Sequence, residues 1–566
     1  MMIKKTFNWR SLLPYVVAIL VFYAICIAFF NPLLEGKRLK QSDIVSHKGM
    51  AKDINDHREQ YEEEPYWTDG MFSGMPSYLI SVYYKSNIIK ELNKVFKGFL
   101  PNPAGMVFLY LLGFYILLLS LRVDKWLSIV GAIAFAFSSY FFIILEPGHN
   151  TKALAIGYMA PLFAGIILTY RGKYCLGAGM TALFLTLQIK ANHPQITYYL
   201  LLLLLLYVFV VLADHIKNKM LPKFLKSTGI LAVIALLAVA THAPTLLAMN
   251  EYLEVSTRGT SEIAIDKQKK TKGLDRDYAT AWSYGKQESL SLLIPNIKGG
   301  SSSKAIGENE SLLKAVNEPD MVQTIANTSA YFGNQPFTSG PVYIGAIVIF
   351  LFVLGMFILK GRLKWVLFAA TVFSILLAWG KNMMWLTNLF LDYFPMYSKF
   401  RAVSMILVIA ELCVPIVAFL GLKQIYQQPR IIFDKVKIFG REIQKIVLAF
   451  ILTGGIAFLF VIAPGIITLE KENEADNMRK SFVNYYQQQM SKQGQQADMA
   501  QINEAANQFV PQYMNELENV RKKIVRNDAF RSFIYILLAA ALLFFTTRRK
   551  KFNPMFLTVF LGLLIL

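Results

Sequence analysis

The sequence predicts an all-α, polytopic membrane protein with 12 to 13 transmembrane helices and long exterior loops. Three observations predict it. Of 566 residues, 55% are hydrophobic and 14% aromatic, and only 17% are charged. Ordinary soluble cores cannot hide that much apolar surface. Apolar runs of 15 to 23 residues recur along the chain, and about 20 helical residues at about 1.5 Å each cross a hydrocarbon layer of about 30 Å. Finally, the net charge of +21 is concentrated on alternate loops.

Taken in order, the expected spans cover 12–30, 104–121, 126–145, 153–170, 175–189, 196–213, 227–246, 341–359, 365–380, 402–421, 446–468 and 531–546. A thirteenth run begins at 555 and stops at Leu566, so the expectation is that the sequence ends inside a longer protein. The stretch MMWLTNLFLDYF (383–394) is short for a span and reads as an interfacial or re-entrant helix. The first span lacks a small-residue cleavage pattern and reads as a retained anchor. All three cysteines (Cys26, Cys175, Cys413) fall in spans, so no disulfide framework or thiolate metal site is implied.

With the N-terminus inside, the inner segments are 1–10, 122–125, 171–174, 214–226, 360–364, 422–445 and 548–551. They hold 24 lysines and arginines against four acids, while all other segments together are nearly neutral. This is the asymmetry of the positive-inside rule. The basic balance therefore sets orientation and argues against a nucleic-acid partner.

The chain divides into a transmembrane core (1–468), an exterior helical segment (469–530) and C-terminal membrane helices (531–566). Three outer segments are long: 31–103, 249–340 and 469–530. Function in such a protein collects on irregular backbone held by rigid spans. In the first outer segment, IIKELNKVFKGFL (88–100) has the periodicity of an amphipathic surface helix. In the second, WSYGKQESLSLLIPNIKGGSSS (282–303) reads as a strand-like run ended by a Gly/Ser turn.

Four outer positions gather polar groups at span ends: Asp43 with His47 and Lys48, then EPGHNTK (146–152), KANHPQ (190–195) and SKFR (398–401). A sugar transfer from a lipid phosphate needs a carboxylate to deprotonate the acceptor hydroxyl. It also needs cations, or a metal, on the departing phosphate. Asp43 fits the first role. Glu146, His149, Lys152, Lys190, His193 and Arg401 fit the second, with arginine suited to bidentate phosphate contact. Each has a plainer reading. Asp43 could be an ordinary loop acid, Glu146 and His149 could only shape the Pro147–Gly148 turn, and Lys190 and His193 could snorkel to water. Asp69, in TDGMFSGMP, could cap a turn.

Glu411 falls near the middle of the 402–421 span, where an ionisable group is costly and usually faces an interior cavity. His242, in ATHAPT, sits nearer the outer end and could line the same cavity. There is no GxxxxGK[ST], no GxGxxG after a strand, no HExxH and no CxxC. No nucleotide cofactor is expected, which points to a substrate that itself carries the energy.

The pattern resembles the YfhO family of bacterial membrane proteins, whose architecture is similar to the GT-C class of lipid-linked sugar transferases. The resemblance rests on SD (42–43), YWTDGMFSGMPSY (66–78), EPGHNTKALAIGYMAPL (146–162), KANHPQITYY (190–199), WSYGKQESLSLLIPNIKGG (282–300), YFGNQPFTSGPVYIGA (331–346) and YSKFRAVSM (397–405), and covers most of the chain. It implies a GT-C-like core in the bacterial inner (cytoplasmic) membrane, with the working face exterior. It also implies that Asp43 is general base or metal ligand and that Glu146, with His149 beside it, supplies a second acidic or metal-binding position. A divalent metal ion on Asp43, Glu146 and His149 is thus an optional cofactor. Family proteins commonly end in an exterior domain, which this sequence lacks, and the WWD-type motif of oligosaccharyltransferases is absent.

The expected function is a membrane glycosyltransferase that moves a sugar from polyprenyl phosphate to an exterior envelope glycan, lipid or protein. Asp43 and Glu146 would be catalytic, and Lys152, Lys190, His193 and Arg401 would hold the donor. Asp69, His242 and Glu411 stand as further candidates. A transporter or lipid flippase using Glu411 and His242, or a non-catalytic envelope assembly protein, are the alternative expectations.

Overall fold

A computed structural model describes residues 12–82, 89–259, 271–493 and 498–566. Apolar runs become helices because a backbone without water must bond to itself. Six described helices are long and apolar enough to cross a membrane, or up to eight when two bent pairs are each counted as one span. Four shorter apolar helices accompany them: Leu13–Phe29, Ala104–Ser120, Ala346–Ile358 and Pro554–Ile565. The all-α, multi-pass architecture is thereby established. Ala346–Ile358 is shorter than its apolar run, Asn150–Tyr170 and Pro194–Lys217 are longer, and two helices are broken.

One break separates Lys125–Ala136 from Ser139–Leu145, bent by 50°. The other separates Leu363–Ala378 from Gly380–Tyr393, where the chain turns by 109°. The second takes in the 383–394 stretch.

Asn150–Tyr170 is the central helix, with 94% of its apolar window buried. It packs on Ala104–Ser120 and on Tyr174–Lys190. The second contact is a backbone approach, since a Cβ on Gly177 would meet the Thr169 amide nitrogen at 2.5 Å. Small residues permit such contacts between membrane helices.

The basic loops gather at one end of the bundle. Arg171 Nη1 donates to the Ser120 carbonyl at 2.8 Å and Lys423 Nζ to the Leu121 carbonyl at 2.9 Å. Arg362 pairs with Asp214 at 2.8 Å. Lys152 and Arg171 lie near opposite ends of Asn150–Tyr170, a helix about 30 Å long at about 1.5 Å per residue. The polar cluster containing Lys152 therefore lies at the end away from the basic loops.

Beyond that end a second apolar core forms. Ile306, Leu312, Met321 and Ile325 pack against Val510, Tyr513, Leu517, Val520 and Ile524. The last five lie on Met499–Arg548, a single 50-residue helix. The division expected at 530/531 falls inside this helix, because helical propensity carries on through the polar half into the apolar half. Arg521, 1% exposed, bonds Glu474 at 2.6 Å, donates to the Leu469 carbonyl at 2.7 Å and lies over the Phe332 ring.

The strand-like reading of 282–303 is corrected. The run forms 3-10 turns at Gln287–Leu292 and Pro295–Lys298. Pro295 has no amide donor for a ladder, and the carboxylate of Glu288 curls the segment by accepting from the Gly285 amide at 3.0 Å. The described strands are two small hairpins, Trp67–Thr68 with Met75–Pro76 and Lys435–Ile438 with Arg441–Gln444. The amphipathic segment of 88–100 forms the helix Ile89–Phe96.

Candidate functional site

Asp43 sits in the first turn of Ser42–Met50, where a carboxylate complements the helix dipole. Its amide donates to the Pro147 carbonyl at 2.9 Å, and Gln41 Nε2 donates to the Leu145 carbonyl at 2.5 Å. The partner turn needs its glycine. Gly148 has φ +101°, and a Cβ there would meet Gln41 and Ile44 at 3.0 Å. The clamped turn delivers His149, whose Nδ1 lies 2.7 Å from Asp43 Oδ2.

This pair lines a cavity of about 620 Å³ shared with Lys152, His193, Gln195, Arg258 and Arg401. Lys152, in the first turn of Asn150–Tyr170, is 8% exposed. Arg401 Nη1 donates to the Tyr278 hydroxyl at 2.6 Å, while Gln195 Nε2 donates to the Arg401 carbonyl at 2.7 Å. Arg258 donates to the Lys399 carbonyl, and Lys399 Nζ returns a bond to the Arg258 carbonyl at 2.7 Å. Among the described residues, none of Lys152, Arg258 and Arg401 is ion-paired with a carboxylate. Among the described residues the cavity lining thus carries three basic side chains, Lys152, Arg258 and Arg401, and one acid, Asp43.

Burial, then the charge of Lys152, holds the His149 imidazole below its ordinary value, against the pull of Asp43. At neutral pH the Asp43–His149 contact is therefore an N–H···O hydrogen bond from a neutral ring, although its distance suits an ion pair. Burial, again with Lys152 next, lowers His193 to about 3. That ring's Nδ1 accepts from the Ile196 amide at 3.3 Å and caps Pro194–Lys217. Arg258 is lowered by burial and by Arg401, yet a guanidinium remains charged.

Five expected residues meet here: Asp43, His149, Lys152, His193 and Arg401. Others do not line the cavity. Glu146 is exposed, because the turn that inserts His149 points its neighbour outward. Lys190 is half-buried near His242 instead. His242 Nδ1 bonds the Thr241 hydroxyl at 2.7 Å. Asp69 is exposed and accepts from Trp67 Nε1 at 3.0 Å, fixing the hairpin tip.

Glu411 is fully buried and accepts from the Ser138 hydroxyl at the 50° break. In Val403–Gln427 it stands about 12 Å from the cavity end and about 24 Å from the other, at about 1.5 Å per residue.

No group of three or more His, Cys, Asp or Glu that could hold a metal occurs among the described residues. Asp43 and His149 alone do not make the expected three-ligand set with Glu146.

The structure adds Arg258, Gln195, Trp282, Gln335 and Phe337 to the lining. The last four lie inside motifs already singled out, and only their lack of charge concealed them. Arg258 lies in an unpatterned polar loop, where nothing local marks it. The chain matches no family model, no curated protein and no solved structure.

Proposed function

We propose that this protein is a GT-C-like glycosyltransferase with 12 to 13 spans in the bacterial inner membrane, N-terminus cytoplasmic. It moves a sugar from polyprenyl phosphate to an exterior envelope glycan, lipid or protein. The observation that carries the reading is the Asp43–His149 pair facing the basic side chains of Lys152, Arg258 and Arg401 in one cavity.

The acceptor hydroxyl attacks the anomeric carbon as Asp43 takes its proton. The bond from that carbon to the phosphate oxygen breaks with inversion, and the electron pair leaves on the lipid phosphate. Lys152, Arg258 and Arg401 neutralise that charge in a partly desolvated site. His149, donating through Nδ1, holds Asp43 in place. No step is assigned to a metal, since the residues present do not complete a ligand set.

A lipid-linked donor is supported by a second, apolar cavity of about 310 Å³ beside the first. Tyr199, Leu202, Leu203 and Leu206 form a helical stripe facing Ala369, Ala370 and Phe373 across it. The two linings meet where Gln195 Nε2 of the first donates to the Tyr199 hydroxyl of the second at 2.9 Å.

The test is Asp43→Asn in correctly inserted protein, assayed for transfer of labelled sugar from polyprenyl phosphate. Wild-type rates would rule out the assigned base. The break at Ser138, held by buried Glu411, favours a second reading as a lipid flippase. In proteoliposomes, lipid movement with no new covalent product selects that reading.

A further inference from the structure

We infer that Trp282 and Phe337 form a carbohydrate platform that takes the ring of the transferred sugar. This inference rests on the glycosyltransferase reading and assigns one wall of the same cavity. The lining combines two kinds of group. Lys152, Arg258 and Arg401 supply its positive charge, whereas Trp282, Gln335, Phe337, Thr338 and Ser339 supply uncharged aromatic and polar groups. A sugar phosphate combines the two matching kinds, an anionic end and a neutral ring with apolar C–H faces and polar hydroxyls.

The aromatic pair is a built surface. The two rings meet edge to face, with centroids 5.1 Å apart at 86°. Phe337 remains 62% exposed although its loop is pinned on either side. The Thr338 amide donates to Ser302 Oγ at 2.9 Å and the Ser302 amide to the Thr338 carbonyl at 2.8 Å.

Glu288, 3% exposed, ties the segments carrying both rings together. It accepts from the Gly285 amide at 3.0 Å, the Tyr331 hydroxyl at 2.8 Å and Gln335 Nε2 at 3.1 Å. Holding an apolar ring open to water costs free energy unless something covers it. A pyranose C–H face covers aromatic carbon, and its hydroxyls reach the Thr338, Ser339 and Gln335 side chains.

The experiment measures binding of bare undecaprenyl phosphate and of undecaprenyl phosphate carrying glucose, mannose or N-acetylglucosamine, using the full chain in detergent. Wild-type protein should bind at least one glycosylated form about tenfold more tightly than the bare lipid. Phe337→Ala and Trp282→Ala should erase that preference while bare-lipid affinity holds, and Phe337→Tyr should retain it. Arg401→Ala should weaken bare and glycosylated lipid together. A preference that survives both alanine variants, or wild-type protein that binds all four lipids equally, overturns the platform alone. Failure of wild-type protein to bind any of the four overturns the glycosyltransferase reading, and the platform with it.

Discussion

His149 Nδ1 stands 2.7 Å from Asp43 Oδ2, and the two residues reach each other through hydrogen bonds from the Gln41 side chain to the Leu145 carbonyl and from the Asp43 amide to the Pro147 carbonyl. If Asp43 is the base, Asp43→Asn lowers transfer by about 10²–10⁴-fold. His149→Ala should lower kcat less and leave KM nearly unchanged, because it removes an orienting bond and not the proton acceptor. Initial rates with labelled donor check this. Equal losses for the two variants would move the base from Asp43 to His149.

His193 gives a pH dependence whose sign is set by its folded value of about 3. A free imidazole titrates near about 6.5. The folded value is depressed, so the neutral ring contributes stability above about pH 6.5 that is lost progressively as pH falls toward the folded value. His193→Asn keeps a side-chain acceptor at the helix cap and removes this titration. Its melting temperature in detergent should fall less on acidification than that of the wild type. An unchanged acid limb would falsify this assignment.

The apolar cavity predicts chain-length discrimination. Leu206 lines it from Pro194–Lys217, a helix with only 28% of its apolar window buried, so a larger side chain there is tolerated by the fold. Leu206→Trp should weaken undecaprenyl phosphate binding by about tenfold and leave geranyl phosphate unaffected. Equal affinity of variant and wild type for the long lipid places the chain elsewhere.

The Arg521–Glu474 pair is the stability test outside the membrane. Burial acts to raise Glu474, but hydrogen bonds and charge from Arg521 prevail and hold it below its ordinary value. Glu474→Ala leaves a guanidinium that is 1% exposed without its acid, at a cost of about 3–5 kcal/mol. The double variant Glu474→Leu, Arg521→Met should recover much of that loss. Denaturation of the purified chain measures both.

Much of the site was legible because EPGH abuts apolar runs and SD follows the first one by a short segment, and residues tied to a membrane end share a depth. Asp43, His149, Lys152, His193 and Arg401 follow from that. Glu146 and Lys190 share the depth but not the direction, which a turn and a helix phase decide. Arg258 was illegible because it is placed by reciprocal bonds to Lys399, 141 positions away.

By itself the sequence determined the membrane character and the sorting of basic loops to one end, since both follow from transfer free energies summed residue by residue. Tertiary structure alone decided helix breaks, the continuous Met499–Arg548 helix and which polar side chains meet. Those depend on packing and on bonds between segments far apart in the chain, which no local pattern encodes.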